Sequence, residues 1–493
     1  MAIVKVCGIE TEYGIDQRGT GEKNPIAASS VLINAYVSEL QRNVAWDFED
    51  ESPGRDARGF ARDGAMAPEI ETHLVNAVLT NGARYYVDHA HPEFSTPECL
   101  DALECVRFDK AGEAILVRSM EAAGRLLPEG QDIVVYKNNS DRKGNSYGTH
   151  ENYLMDRQVP FAQVVRHVLP HFVTRQLYTG AGKVGSEASG VEVGFQLSQR
   201  ADFFEEEVGL ETTIKRPIVN TRDEPHCDAA KYRRLHVIVG DANLAEVATF
   251  LKVGVTSIVL AMIEDDWFAD RDYSLAAPVQ AIRQVSYDLD LSQPLEMADG
   301  RRMTALDIQW EYHDLARKYA DDRGLDAVGA EVGADVLRRW EHVLSALEAD
   351  PSTLAGQVDW VAKHRLLDGY RARHGLDWSD PRLAAMDLQY HDLRPGRSLF
   401  ARLGTERLVS DESVASAVTE PPTGTRAYFR GRCLQRWAGS IAAANWDSIV
   451  FDLGRDPLRR VPMMEPLKGT AVMVDTLLEG CSSPADLLDR LGS

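Results

Sequence analysis

The run Arg84-Tyr-Tyr-Val-Asp-His-Ala-His-Pro-Glu93 constrains this chain more than any other part of it. In an extended strand Arg84, Tyr86 and Asp88 share one face, because strand side chains alternate. Glu93 follows five residues after Asp88, just past a proline expected to help end the strand. A guanidinium, a phenol and two carboxylates thereby converge. Such a set is costly to assemble unless a bound metal or substrate offsets the repulsion. Taken alone, the run reads equally well as a solvated strand end.

Glu10 and Glu12 repeat the theme at i and i+2 of an alternating stretch, so they too share a face. Adjacent carboxylates suit a hard cation such as Mg2+, although an exposed acidic strand end satisfies the same two residues. A lone histidine is more often a satisfied core residue than a ligand, but the polar, Gly-containing approach Gly144-Asn-Ser-Tyr-Gly-Thr149 raises the functional reading of His150 modestly. Arg200, Arg222 and His236 stand at expected strand ends or turns. Arginine suits bidentate binding of phosphate or carboxylate, and a surface ion pair is the alternative for each. A Walker loop, a GxGxxG run and a GxSxG elbow are all missing, which leaves carboxylates, histidines and arginines on strands to carry metal-assisted phosphoryl or acyl chemistry.

With 493 residues the chain is too long for one ordinary domain. The net charge of −22 argues against nucleic acid as a partner. Local basic runs, Lys231-Tyr-Arg-Arg-Leu-His236 and Arg426-Ala-Tyr-Phe-Arg-Gly-Arg432, remain compatible with a basic groove for an acidic partner. No stretch is read as a membrane span, and the N-terminal residues read as a strand, not a signal peptide. Six scattered cysteines without a CxxC pair argue against zinc and disulfides, so the expected compartment is the cytoplasm.

Periodicity predicts helices over 28–42, 71–79, 101–125, 159–178, 303–321 and 330–348, and strands near the N-terminus and over 132–137, 192–199, 208–219 and 234–239. Residues 46–70 read as a long charged loop anchored by Trp46 and Phe48. Strand-rich early and helix-rich late is an α+β signature. A boundary is placed at Glu420-Pro-Pro-Thr-Gly424, giving a domain of residues 1–420 and a small C-terminal one of 421–493.

Glu10-Thr-Glu-Tyr-Gly14, Asn81-Gly-Ala-Arg-Tyr-Tyr-Val-Asp88, His91-Pro-Glu93, Ser146-Tyr-Gly-Thr-His-Glu-Asn-Tyr153, Thr221-Arg-Asp-Glu-Pro-His226 and Tyr232-Arg-Arg-Leu-His236 resemble the Pup ligase/Pup deamidase family over essentially the whole chain. The resemblance implies a glutamine-synthetase-like fold, a curved and mostly antiparallel sheet cradle packed with helices. Within the family, the insertion Trp46-Asp-Phe-Glu-Asp-Glu-Ser-Pro53, the short Asp88-to-His91-Pro spacing and the end around Trp446-Asp-Ser448 resemble the deamidase/depupylase side. The stretch from Ala61 to Pro68 departs from it, being shorter and different in sequence.

The resemblance implies a hydrolase that deamidates the C-terminal Gln of Pup and cleaves the Pup–lysine isopeptide bond. ATP (or ADP plus phosphate) and Mg2+ would be its cofactors. Its partners would be Pup, pupylated proteins and, as a further one, the proteasomal ATPase ring. It makes Asp88 the essential carboxylate, as nucleophile or base, with Arg200 and Arg222 near the phosphates and the scissile amide. Glu10, Glu12, Tyr86, Glu93, His150 and His236 fall at metal positions, and Arg84, Thr96 and Trp446 at nucleotide contacts. The competing expectations are a ligase that works through a γ-glutamyl phosphate and a catalytically silent Pup-binding adaptor.

Overall fold

Alternation places the sheet. The computed structural model describes residues 1–21, 23–40, 44–49, 51–60, 75–454 and 456–492. In strand β1 (Cys7–Glu12), Cys7, Ile9 and Thr11 are buried, while Gly8, Glu10 and Glu12 are half-buried on the other face. The same division runs through β4 (Arg84–Asp88) and β5 (His91–Ser95), where Tyr85, Val87 and Phe94 join the main apolar core. It continues in β6 (Thr149–Asp156) and β7 (Tyr232–Val237), whose Tyr153, Met155, Leu235 and Val237 join the same core.

These strands form the centre of a ten-stranded sheet. Its other members are β2 (Val44–Trp46), β3 (Asn76–Val78), β8 (Ile441–Ala444), β9 (Ser448–Phe451) and β10 (Arg459–Pro462). The order is β7-β6-β1-β5-β4-β3-β2-β8-β9-β10. All neighbours are antiparallel except β2 with β8. The architecture is thus α+β, a mostly antiparallel sheet packed with helices, as expected from the sequence.

Helices α1 (Pro25–Glu39), α2 (Ala102–Gly124) and α4 (Glu246–Glu264) cover the apolar face of the sheet, and α3 (Phe161–Thr174), α5 (Ala305–Arg323) and α6 (Ala330–Ala349) pack behind them. Gly112 lets α2 lie close on β5, since a Cβ there would stand 2.5 Å from the Phe94 ring. Glu151, on the core face of β6, receives both terminal nitrogens of Arg175 at 2.8 and 2.6 Å, and the Tyr153 hydroxyl at 2.6 Å. A fully buried charge pair of this kind holds only with such complete hydrogen bonding.

The structure corrects several expectations. Residues 76–78 form β3 rather than the end of a helix, and 71–74 lie outside the described residues. Pro92 does not end the strand. It lies inside the return strand β5, paired with Val87, and the tight turn at His89 and Ala90 does the reversing. The alternation over 208–219 is the end of one short strand, Phe204–Gly209, and the start of its parallel partner, Arg216–Asn220. Among the described residues one helix, α4, does have the length and apolarity of a membrane span, and the fold buries its apolar stretch.

The segment expected as an exposed loop after Trp46 is docked where it is described. Thr221 donates its hydroxyl to Asp56 at 2.7 Å, the Ala57 amide donates to the Thr221 carbonyl at 2.8 Å, and the Ser52 amide donates to Glu224. The stretch Ala61 to Pro68 lies outside the described residues.

The C-terminal strands carry their own apolar cluster, built on Trp46, Phe429, Phe451 and Leu487. Glu98, just past β5, ties helix α7 (Ala427–Trp437) and its approach to the sheet: Arg426 Nε donates to it at 2.7 Å and Arg430 Nη2 at 2.5 Å. Burial opposes ionisation of Glu98, yet the two guanidiniums hold its pKa at about 2. Glu98→Ala leaves two arginines without their carboxylate and should cost about 3 kcal/mol in urea unfolding. Because the folded pKa is depressed, this contribution is complete above about 4.5 and disappears as pH falls toward 2. The gap between wild type and variant should close over that acid window; a gap unchanged there would contradict the assignment.

Candidate active site

Register brings the half-exposed residues into rows across the concave face. Tyr86 of β4 lies opposite Glu93 of β5, and Glu93 opposite Glu12 of β1. One step along, Arg84 faces Ser95, Ser95 faces Glu10, and Glu10 faces His150 of β6. Asn152, next on that face, is paired with His236 of β7. Residues separated by more than two hundred positions thereby meet because each occupies the same side of its strand.

Two ligand groups result. The donor atoms of Glu10, His150 and His236 lie within 4.8 Å of one another, and so do those of Glu12, Asp88 and Glu93. Glu10 receives Asn152 Nδ2 at 2.8 Å, with His150 Nδ1 at 3.5 Å, His236 Nε2 at 3.8 Å and Arg234 at 3.7 Å. Glu12 accepts the Gly148 amide at 2.9 Å, and His91 Nδ1 stands 3.6 Å away. Gly148 is required there, since a Cβ would meet His150 Nε2 at 2.1 Å and Glu12 Oε1 at 2.9 Å.

Protonation follows from these neighbours. Burial pushes Glu10 up, but the hydrogen bonds of His150 and His236 and the Arg234 charge outweigh it, leaving Glu10 well below the usual carboxylate range. Glu93 moves the other way: burial and the charges of Asp88, Glu12 and Glu10 raise it well above that range. Burial lowers His236 to about 3, so its imidazole is neutral. Burial and the Glu93 charge raise Tyr86 well above a normal phenol, which keeps it neutral beside the Glu93 carboxyl. Crowded carboxylates beside the neutral His236 imidazole fit a divalent cation, which offsets the repulsion that raises Glu93.

Asp88 ends β4 at the solvent side of this cluster, about a quarter exposed, with His89 Nδ1 3.0 Å from its carboxylate. Arg200 is fully buried near Glu12; its Nε donates to Ser146 at 3.2 Å, and burial with the nearby Arg216 charge lowers it to about 10. Arg222 donates its backbone amide to Asn220, and its charge is felt by Glu51 and Glu224. Among the described residues Arg84, Arg200, Arg216 and Arg222 form no salt bridge, an excess of guanidinium that suits an anionic ligand.

Beside Glu10 opens a cleft lined by Gly8, Glu10, Thr96, Asn152, Arg234 and Trp446 among others. Thr96 accepts the Ile9 amide through its hydroxyl at 3.0 Å. Trp446 is held by its carbonyl, which accepts from Arg430 at 3.0 Å. Arg84 stands near the cleft without lining it, stacked between the Trp46 and Tyr86 rings at 3.9 Å from each.

Sequence reasoning passed over His91, Asn152 and Arg216 as site residues, whereas Trp46, expected to dock near the site, does lie beside Arg84 and Trp446. His91 was within reach, since it shares the face of Glu93 two residues on; Arg216 left no local signal. The basic runs turn out to be engaged within the fold. Lys231 pairs with Asp228 and Glu465, the Arg233 guanidinium donates to the Val159 carbonyl, Arg234 turns to Glu10, and Arg426, Arg430 and Arg432 pair with Glu98 and Glu420. They form no free basic groove.

The family model described as Pup-ligase protein matches residues 5–450. The chain belongs to the Pup-ligase protein family. It is 54% identical to the depupylase of Acidothermus cellulolyticus and 49% identical to the Pup deamidase/depupylase of Mycobacterium tuberculosis, over 99% of both chains in each case. A Pup–protein ligase of Nocardioides is 42% identical over 97% of this chain and 99% of its own. Among solved structures, the ligase PafA in complex with Pup superimposes with a TM-score of 0.82 at 34% identity, covering 99% of this chain and 94% of that one. PafA in complex with ADP gives 0.75 at 38%, covering 82% and 89%. The full-length relatives named for depupylation mark this chain as an enzyme of that kind.

Glu10→Gln and Glu93→Gln each remove an anionic oxygen from one group and should weaken Mn2+ or Mg2+ binding at least ~10-fold in calorimetric titration. Unchanged affinity in both variants would contradict the metal reading.

Proposed function

We propose that this chain hydrolyses the side-chain amide at the C-terminus of Pup, deamidating Gln to Glu and releasing Pup from substrate lysines. The observation that carries the proposal is Asp88: an accessible carboxylate beside the crowded, cation-fitting cluster, in a chain about half identical to two proteins named for depupylation. The ADP complex of one structural relative and the Pup complex of the other support a nucleotide and Pup as ligands.

In this reading Thr96 and Trp446 in the cleft, with Arg84 beside it, hold the nucleotide, the Trp446 ring offering a face for the base. Glu10, Glu12, Glu93, His150 and His236 hold Mg2+, and Tyr86 joins them through its hydrogen bond to Glu93. When bound, Mg2+ would supply the positive charge that offsets these carboxylates and the phosphates of the nucleotide and polarises a carbonyl oxygen. Asp88 either attacks the side-chain carbonyl with its carboxylate oxygen, giving an acyl intermediate that water then hydrolyses, or takes the proton of a water whose oxygen attacks directly. The carbonyl oxygen becomes negative in that step, and Arg200 and Arg222 carry guanidinium charge to stabilise it. The C–N bond then breaks, and the leaving group departs as ammonia or as the lysine amine. One water is added overall, so the same residues serve both substrates. The buried free cysteines support a reducing, cytoplasmic setting for this chemistry.

Incubation with a pupylated protein, ATP and Mg2+ should release the unmodified protein. Formation of new Pup conjugates with stoichiometric ATP turnover would establish the ligase instead. Asp88→Asn should lower the release rate below about a tenth of wild type, a loss of more than ~1.4 kcal/mol of barrier stabilisation, while nucleotide affinity stays unchanged. Retained activity in that variant would remove Asp88 from the reaction.

A further inference from the structure

Building on the nucleotide reading above, we infer that Trp46 is a positioning residue of the nucleotide site. Its indole fixes the plane of Arg84 and braces the ring of Trp446. Both residues are assigned to the nucleotide, and neither is near Trp46 in sequence apart from the strands that bring them together.

The geometry is specific. The Arg84 guanidinium lies 3.9 Å from the centroid of Trp46 on one side and 3.9 Å from that of Tyr86 on the other. Its Nε donates to Asn76 at 2.9 Å, and among the described residues no carboxylate pairs with it. An arginine side chain has several rotatable bonds, and a planar cation held between two rings has lost most of that freedom before any ligand arrives. The two terminal amino groups are then presented at a set angle, which is what bidentate recognition of a phosphate needs. Preorganisation of this kind reduces the ordering cost of binding.

Trp46 reaches the second nucleotide residue too. Its ring stands 5.3 Å from that of Trp446 at an interplanar angle of 71°, an edge-to-face contact. Trp46 is itself fixed: it is 4% exposed, paired with Ala444 of β8, and its indole N–H donates to Glu51 at 2.7 Å. It thus stands at the seam where the C-terminal strands join the catalytic sheet. The residue opening the insertion-like segment sets the distance between a phosphate-facing cation on β4 and a base-facing ring after β8. The ligand class it serves is a nucleoside di- or triphosphate.

The test is calorimetric titration of the full-length chain with MgADP. Trp46→Leu removes the aromatic face and should weaken binding about ten-fold. Trp46→Phe keeps a face for Arg84 and should stay within about three-fold of wild type. In an Arg84→Met background, Trp46→Leu should weaken binding clearly less than it does in wild type, because much of its effect passes through Arg84. A structural role alone would give the same loss in both backgrounds. Wild-type affinity in Trp46→Leu, an undiminished loss in the Arg84→Met background, or a ten-fold loss in Trp46→Phe would overturn the inference. Trp46→Phe decides the matter if Trp46→Leu does not fold. Absence of MgADP binding to wild type would overturn the nucleotide reading itself, a distinct result.

Discussion

Repulsion among Glu10, Glu12, Asp88 and Glu93 is the constraint on which the rest of the site depends. The sheet register forces these carboxylates together, and no rotamer choice removes the charge from a shared strand face. The protein handles them unequally. Glu10 and Glu12 are held as anions by His150, His236, Arg234, His91 and the Gly148 amide, while Glu93 is left to be protonated. A carboxyl whose ionisation is opposed by burial and by its neighbours' charge is favoured as an anion when a cation enters. The imidazoles, and the arginines that form no salt bridge among the described residues, fit the same purpose from both sides, one set for the metal and the other for the anion it accompanies.

The fold makes that cluster rigid from behind. Glu151 and Arg175 lock β6 to the helices, and Gly112 allows α2 to seat on Phe94 beneath the catalytic hairpin. From the side, Glu98 holds α7, and Arg430 in turn holds the carbonyl of Trp446. The C-terminal strands are therefore an extension of the catalytic sheet. Trp46 marks the join, and the cleft lies where residues from both parts face one another.

The carboxylates on β1 and β4 were legible in the sequence because strand alternation is a local rule, and the motifs around them were long enough to carry a family resemblance. The hairpin was less legible. Pro92 suggested a strand end, whereas the peptide reverses at His89 and Ala90 and places Pro92 in the return strand, which is what sets Glu93 against both Tyr86 and Glu12. Helical spacing over 71–79 misled because the short strand β3 is decided by its partners β2 and β4, not by its own pattern. Arg216 carried no local signal, since its role comes from contacts across the fold, and Trp46 was legible as an aromatic anchor of its loop but not as the neighbour of Arg84 and Trp446. The basic runs looked like a groove for an acidic partner, and only the tertiary structure shows their charges facing Glu10, Glu98, Glu420 and Glu465.

The central claim is that a divalent cation completes the carboxylate face. Anomalous scattering from crystals grown with Mn2+ and ADP tests it most directly. The account predicts peaks at coordination distance, about 2.1–2.6 Å for oxygen ligands of such cations, from Glu10 or Glu12 and from Glu93, beside the cleft that ends at Trp446. A fully occupied nucleotide with no peak on these carboxylates would contradict it.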